Sequence, residues 1–294
     1  MMESSVTYII TTYNRGKFLA QHVKEQLLSG FFDTEKIKFD VIIVDDGSPD
    51  GAFEGVKALC KGKIGIPLRY MCLNRREKDK NYFYSDSFLN NLGIMISTSE
   101  FVYLAAEDCY ICSSSIFQRL LKLPADKYIC PNQFRFTADM KDKMAYEYCS
   151  KNWKDPMKCY EHFKERCKGK ISTHGGMSPS FGSGCYLRHN RVTFVGTGLF
   201  GIARKTFINM GGIPPVKAGY GTDMFLRKAL IENNITLDEE LNSDLFVMHF
   251  PIRYSTPFCP KPPGLNIYPE SHYEKIEGVA VVNNKLLDIH NLIL

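Results

Sequence analysis

Between Val6 and Ala106 the chain alternates four short apolar runs with three amphipathic stretches. The runs VTYIIT (6–11), FDVIIVDD (39–46), PLRYMCL (67–73) and EFVYLAA (100–106) have the length and residue types of buried strands. The stretches FLAQHVKEQLL (18–28), GAFEGVKALC (51–60) and SDSFLNNLGIMIS (85–97) have helical spacing. Strands that alternate with helices of this length form parallel sheets with helical crossovers. The expected fold class is therefore α/β, with a doubly wound, mostly parallel, Rossmann-like sheet. Ser48-Pro49-Asp50 offers capping oxygens and a first-turn proline for the second helix.

In such sheets ligands bind beyond the carboxyl ends of the strands. Three of these ends carry polar clusters, TTYNR, DDGSPD and EDCY. Together they predict one cleft lined by Thr12, Tyr13, Asn14, Arg15, Asp45, Asp46, Glu107 and Asp108. The last two acids follow an apolar run directly. Burying such a pair costs desolvation energy unless it binds something.

The second half reads differently. Pro131 to His189 is aromatic, basic and cysteine-rich, without a clear period. Gly175-Gly176 and SPSFGSG (178–184) predict a loop that orders over a ligand. Regular elements resume with RVTFVGTGLFGIA, a helix RKTFINMGG, the turn PPVKAGYGTD, a helix through Glu232 and a strand DLFVMHF (244–250). The closing KLLDIHNLIL spaces its leucines and isoleucines as a helix does. It is expected to pack on the core; a dimer contact or a peripheral membrane contact is the alternative.

The 294 residues suffice for a full core, and 44% apolar with 23% charged content is that of an ordinary globular protein. No run of 18 apolar residues marks a membrane span. The absence of a basic leader leads to a cytoplasmic expectation. Among the ten cysteines, Cys109 and Cys112 form the only C-x2-C, so buried reduced thiols are the simplest reading. A zinc site drawn from Cys149, Cys159, Cys167, Cys185, His174 or His189 is the alternative. Lys151 to Lys170 carries seven Lys/Arg against three acids. That is the pattern of a solvated helix face, or of attraction to an anionic substrate or membrane surface. A pI near 8.6 without a nucleic-acid module argues against nucleic acid as a partner.

VTYIITTYNR, VIIVDDGSPDG and NNLGIMISTSEFVYLAAED occur in this order within residues 5–123. They resemble the nucleotide-sugar-binding half of family 2 glycosyltransferases, which have the GT-A fold. GGIPPVKAGYGTDMFLRKAL resembles the acceptor-side G-[WY]-G-x-[DE]-D element of related inverting galactosyl- and N-acetylgalactosaminyltransferases. The resemblance implies a GT-A fold with a donor half at 1–130. An acceptor-binding α+β half at 131–258 contains the unmatched stretch 131–190, and 259–294 is a C-terminal extension.

Several roles follow from that resemblance. Thr11, Tyr13, Asp45 and Asp46 are implied to hold uridine, with Thr12 and Arg15 lining the same cleft. Asn90 stands where the family often has arginine, and nearby Asp86 is a nucleotide contact. Arg75, Arg76, Arg188, His189 and Arg191 are phosphate partners or plain surface charges. The family's D-x-D metal motif appears as Ala105-Ala106-Glu107-Asp108, with alanine at the first acid position. Glu107, Asp108 and His249 are the implied ligands of Mn2+ or Mg2+, which suits carboxylate and phosphate oxygens. His249 has a second reading as a core residue.

An inverting displacement needs a carboxylate to deprotonate the acceptor hydroxyl, and Asp223 is the candidate. Its alternative is a helix N-terminal acid. The implied activity is transfer of a sugar from a nucleotide donor, most often UDP-linked, to a hydroxyl of a glycan or glycoconjugate. A nucleotidyltransferase, or a GT-A domain that binds sugar nucleotide without turnover, shares parts of the pattern.

Overall fold

The structure, a computed structural model, describes residues 4–60, 65–73, 86–136, 148–167, 185–188, 198–213, 222–249 and 287–293. The alternation read from the sequence becomes β1 (Ser5–Thr12), α1 (Gly16–His22), β2 (Lys38–Asp45), α2 (Ala52–Leu59), β3 (Pro67–Leu73), α3 (Asp86–Ile96) and β4 (Phe101–Ala106). Helix α1 runs on as a π-helical turn over Val23–Leu27. After β4 come β5 (Cys109–Ile111), α4 (Ile116–Leu120), β6 (Lys127–Ile129), β7 (Asn132–Phe136), α5 (Pro156–Cys167) and β8 (Cys185–Arg188). The chain continues through β9 (Leu199–Ala203), α6 (Arg204–Asn209), α7 (Thr222–Glu232), β10 (Thr236–Leu237), α8 (Glu239–Asn242), β11 (Phe246–His249) and β12 (Leu287–Ile293).

The main sheet has eight strands in the order β10-β6-β9-β4-β1-β2-β3-β12. Strands β3, β2, β1 and β4 run parallel, so the chain order reverses between β1 and β4. This reversal places a crevice beyond their carboxyl ends. Ile9, Ile10, Val41 to Val44 and Val102 to Leu104 are buried, as expected of parallel strands covered on both faces. Helix α3 lies so close over β1 that a Cβ on Gly93 would meet Ile9 Cγ2 at 2.6 Å. Gly16 likewise lets α1 approach the backbone of Ala52 on α2, where a Cβ would sit 2.8 Å from Cα.

A smaller sheet, in the order β5-β11-β7-β8, stands after the acid-bearing end of β4. It gives form to part of the stretch without sequence period. Trp153 is buried there and meets Phe31 and Tyr110 edge-on, at 4.9 and 5.6 Å between centroids. Lys154 lies over the Phe31 ring. At least that lysine of the basic segment serves packing.

Two expectations are corrected. The closing segment is a strand: β12 pairs antiparallel with β3 over its whole length, from Leu287 opposite Leu73 to Ile293 opposite Pro67. Its residues also alternate, Leu287 and Ile289 with Asp288 and His290, and the free edge of β3 selects that period. The Ser48 and Asp50 oxygens, expected to cap α2, bond elsewhere. Gly51 holds the cap position at φ 79° without a side-chain bond. The two oxygens accept instead from the backbone N–H groups of Asn14 and Gly16, at 2.8 and 2.7 Å.

Candidate functional site

Those last two bonds tie the loop after β2 to the loop after β1. A third connection links the loop after β1 to the turn after β4. Arg15 Nη1 donates to Glu107 Oε1 at 3.0 Å and lies 3.5 Å from Asp108 Oδ2. The three polar clusters therefore meet at the carboxyl ends of β1, β2 and β4.

Asp45 holds its own loop. Its Oδ2 accepts from the Tyr70 hydroxyl at 2.6 Å, and its Oδ1 accepts from the Ser48 N–H and hydroxyl at 2.9 and 2.5 Å. Burial pushes its pKa up while these donors pull it down. Asp46 is fully buried beside it, its N–H bonded to Thr12 O. Thr11 donates to Asp86 Oδ1 at 3.1 Å, and Asn90 donates from its amide to Asp86 O at 2.8 Å. Thr12 Oγ1 and Asn90 Oδ1 are buried without a hydrogen-bond partner among the described residues. Tyr13 lies at the same strand end, half-buried. Thr11, Asp86 and Asn90 are thus brought together between β1 and the start of α3.

The acid turn is held by α1 and the π-helical turn that continues it. Leu19, His22, Val23, Gln26 and Leu27 share one helical face, and all are buried. The Gln26 amide brackets Ile111, accepting from its N–H at 2.7 Å and donating to its carbonyl at 3.4 Å. His22 Nδ1 lies 3.2 Å from Glu107 O, and Nε2 lies 3.0 Å from the Tyr8 hydroxyl. A carbonyl only accepts, so Nδ1 carries the proton; in the neutral ring Nε2 then accepts from Tyr8. Burial lowers the His22 pKa to about 4, which favours that neutral form. The sequence signal for both residues is their place on the apolar face of the 18–28 stretch. Polar groups there must find internal partners.

The two acids of the turn titrate apart. Burial pushes Glu107 up to about 7, against the opposing charge of Arg15. Burial also pushes Asp108 upward, but His249, Arg15 and the Cys109 thiol outweigh it and hold the carboxyl well below its usual range. Asp108 Oδ2 lies 3.5 Å from His249 Nε2, and its Oδ1 accepts from Cys109 Sγ at 3.6 Å. One donor atom each from Asp108, Cys109 and His249 lies within 4.8 Å of the others. Among the described residues this is the only such group able to hold a metal ion. Glu107, expected beside Asp108 and His249, is placed against Arg15 and lies outside the group. Cys109 was not among the expected site residues.

The remaining candidates are Asp223, the cysteines and the basic residues of the second half. Asp223 is in the first turn of α7. The segment leading toward it is tied to α3, since the Asn91 side chain donates to Ile213 O and accepts from Ile213 N–H at 2.8 and 3.0 Å. Cys149 and Cys159 are buried, are not joined in a disulfide and lie in contact, and the Cys149 thiol lowers the Cys159 pKa. Arg75, Arg76, His174, His189, Arg191 and the loop 175–184 lie outside the described residues, as do the side chains of Cys167, Cys185 and Arg188.

A 3-2-1-4 parallel core, loops cross-linked over its switch point and an acid turn after β4 define an α/β domain of the GT-A type. The profile of glycosyl transferase family 2 matches residues 7–178, and the chain belongs to that family. Among solved structures it is similar to the mannosyltransferase PcManGT from Pyrobaculum calidifontis in complex with GDP-Man and Mn2+. That match has 14% identity and a TM-score of 0.48, covering 84% of this chain and 57% of that one. No helix of the described residues is long and apolar enough to cross a membrane.

Proposed function

We propose that the protein is an inverting, metal-assisted glycosyltransferase that moves a sugar from a UDP-linked donor to a hydroxyl of a glycan or glycoconjugate. What carries this reading is the convergence, through Arg15, Ser48 and Asp50, of three strand-end clusters on one crevice in a family 2 chain. Residues 1–130 act as the donor half, 131–258 as the acceptor half and 259–294 as the extension.

In this reading Thr11, Thr12, Tyr13, Asp46, Asp86 and Asn90 surround the nucleoside. The buried oxygens of Thr12 and Asn90 are suited to its polar edges. Asp45 keeps the loop of Asp46 in place. Asp108 and His249 hold the divalent cation, with Glu107 as the neighbouring acid. When bound, that cation neutralises the diphosphate and acts as a Lewis acid on the leaving group. Arg15 orients the two carboxylates and adds its positive charge where the diphosphate would lie. Asp223 takes the proton of the acceptor hydroxyl as it attacks the anomeric carbon from the opposite face.

The test is turnover and binding together. UDP-sugars incubated with the full chain and Mn2+ are expected to release UDP, and Asp223→Asn is expected to cut kcat by roughly 10^2 to 10^4 with UDP affinity kept. GDP-sugars serve as the comparison set. UDP binding without turnover with any acceptor favours a binding module. Failure of UDP to bind sinks the UDP reading.

A further inference from the structure

Cys109 faces His249 directly in the antiparallel register of β5 and β11. Directly opposite residues project from the same face of a sheet. Asp108, one residue earlier at the end of the turn, adds its carboxylate to that face, and the thiol already donates to Asp108 Oδ1. Donor atoms of the three lie within 4.8 Å of one another. Ligands around a tetrahedral ion stand roughly 3.5 Å apart, so small rotamer shifts suffice to close the set. Cys109 is 3% exposed and Asp108 8%, which leaves little water to compete for either ligand.

We propose that Cys109 is a protein ligand of the divalent cation, and that its sulfur makes the site select a borderline-soft ion, Zn2+ or Co2+, over Mg2+. The inference rests on the reading above that Asp108 and His249 hold a cation, and it adds the ligand that decides which one. Mg2+ takes oxygen ligands in near-ideal octahedral geometry and is poorly served by sulfur and imidazole. Thiolate, imidazole and carboxylate together form a zinc-type set, and three protein ligands leave a fourth position for a diphosphate oxygen. Mn2+ stands below Co2+ and Zn2+ in affinity for such donors. On binding, the S–H bond gives way to a sulfur–metal bond and its proton leaves to solvent. Thiolate and carboxylate then balance the two charges of the ion.

The full chain titrated with Co2+ is expected to develop visible d–d bands and a near-ultraviolet sulfur-to-cobalt charge-transfer band. Cys109→Ser is expected to lose the charge-transfer band and to weaken Zn2+ binding about 10-fold or more, with weak Mg2+ binding unaltered. Cys149→Ser is expected to keep the band. X-ray absorption at the zinc edge of the unmodified protein gives the same answer without a variant, as one sulfur scatterer near about 2.3 Å. Co2+ binding that is lost in Asp108→Asn yet shows no sulfur signature overturns the role of Cys109 and leaves the cation site standing. Binding of no divalent ion at all overturns the cation reading with it.

Discussion

Asp45 and Asp108 lie near the carboxyl ends of neighbouring parts of one sheet, and both are buried. Their surroundings differ in kind. Asp45 spends its oxygens on Tyr70 and Ser48, groups that donate hydrogen bonds and carry no charge. Asp108 faces a guanidinium, an imidazole and a thiol. Burial alone does not tell which acid does chemistry. An acid saturated by turn donors holds a loop. An acid set beside a guanidinium, an imidazole and a thiol is kept ionised.

Exchanging the two acids' amides tests that difference most strongly. Asp108→Asn is expected to lower transfer by roughly 10^2 to 10^3 and to abolish metal-dependent UDP binding, with the thermal midpoint nearly unchanged. A large loss of stability with binding intact would erase the comparison.

Next in size is the buried support of the acid turn. His22 has a folded pKa of about 4 against 6.5 for the free side chain, so the unfolded chain binds a proton that the native one refuses. Its stabilisation is complete above pH 6.5 and falls by about 3 kcal/mol as pH drops through that value toward 4. Urea unfolding of the protein and of His22→Gln across this range checks it, and the variant's curve is expected to be flatter by that amount.

Asp45→Asn is expected to cost about 1–3 kcal/mol, because an amide N–H then faces the Tyr70 hydroxyl or the Ser48 donors. Donor affinity is expected to follow only as the loop of Asp46 loosens. The smallest effect is that of Tyr70→Phe, about 1 kcal/mol in the unfolding free energy with cation binding unchanged. Kinetic loss in Tyr70→Phe without destabilisation would move Asp45 into the chemistry.

Much of the fold was legible before any coordinates. The runs at 6–11, 39–46, 67–73 and 100–106 each became a strand within one residue of the expected ends, because fully buried parallel strands are continuous apolar runs bounded by polar turns. The closing segment was not legible in the same way. Its apolar residues satisfy a helical and an alternating period at once, and only the unpaired edge of β3 chooses between them. The loop oxygens of Ser48 and Asp50 had a local use as caps. They were taken by Asn14 and Gly16, whose closeness is a product of the sheet order.

The sequence by itself determined the α/β class, the sheet's strand–helix alternation and the three clusters at strand ends, since these depend on residue type and spacing along the chain. Tertiary structure decided the partners. Residues far apart in the chain, Arg15 with Glu107 and Cys109 with His249, meet only through strand pairing and register. Which carboxylate braces a loop and which joins a group able to hold a metal ion was decided there, because a buried charge takes its surroundings from what solvates it in place of water.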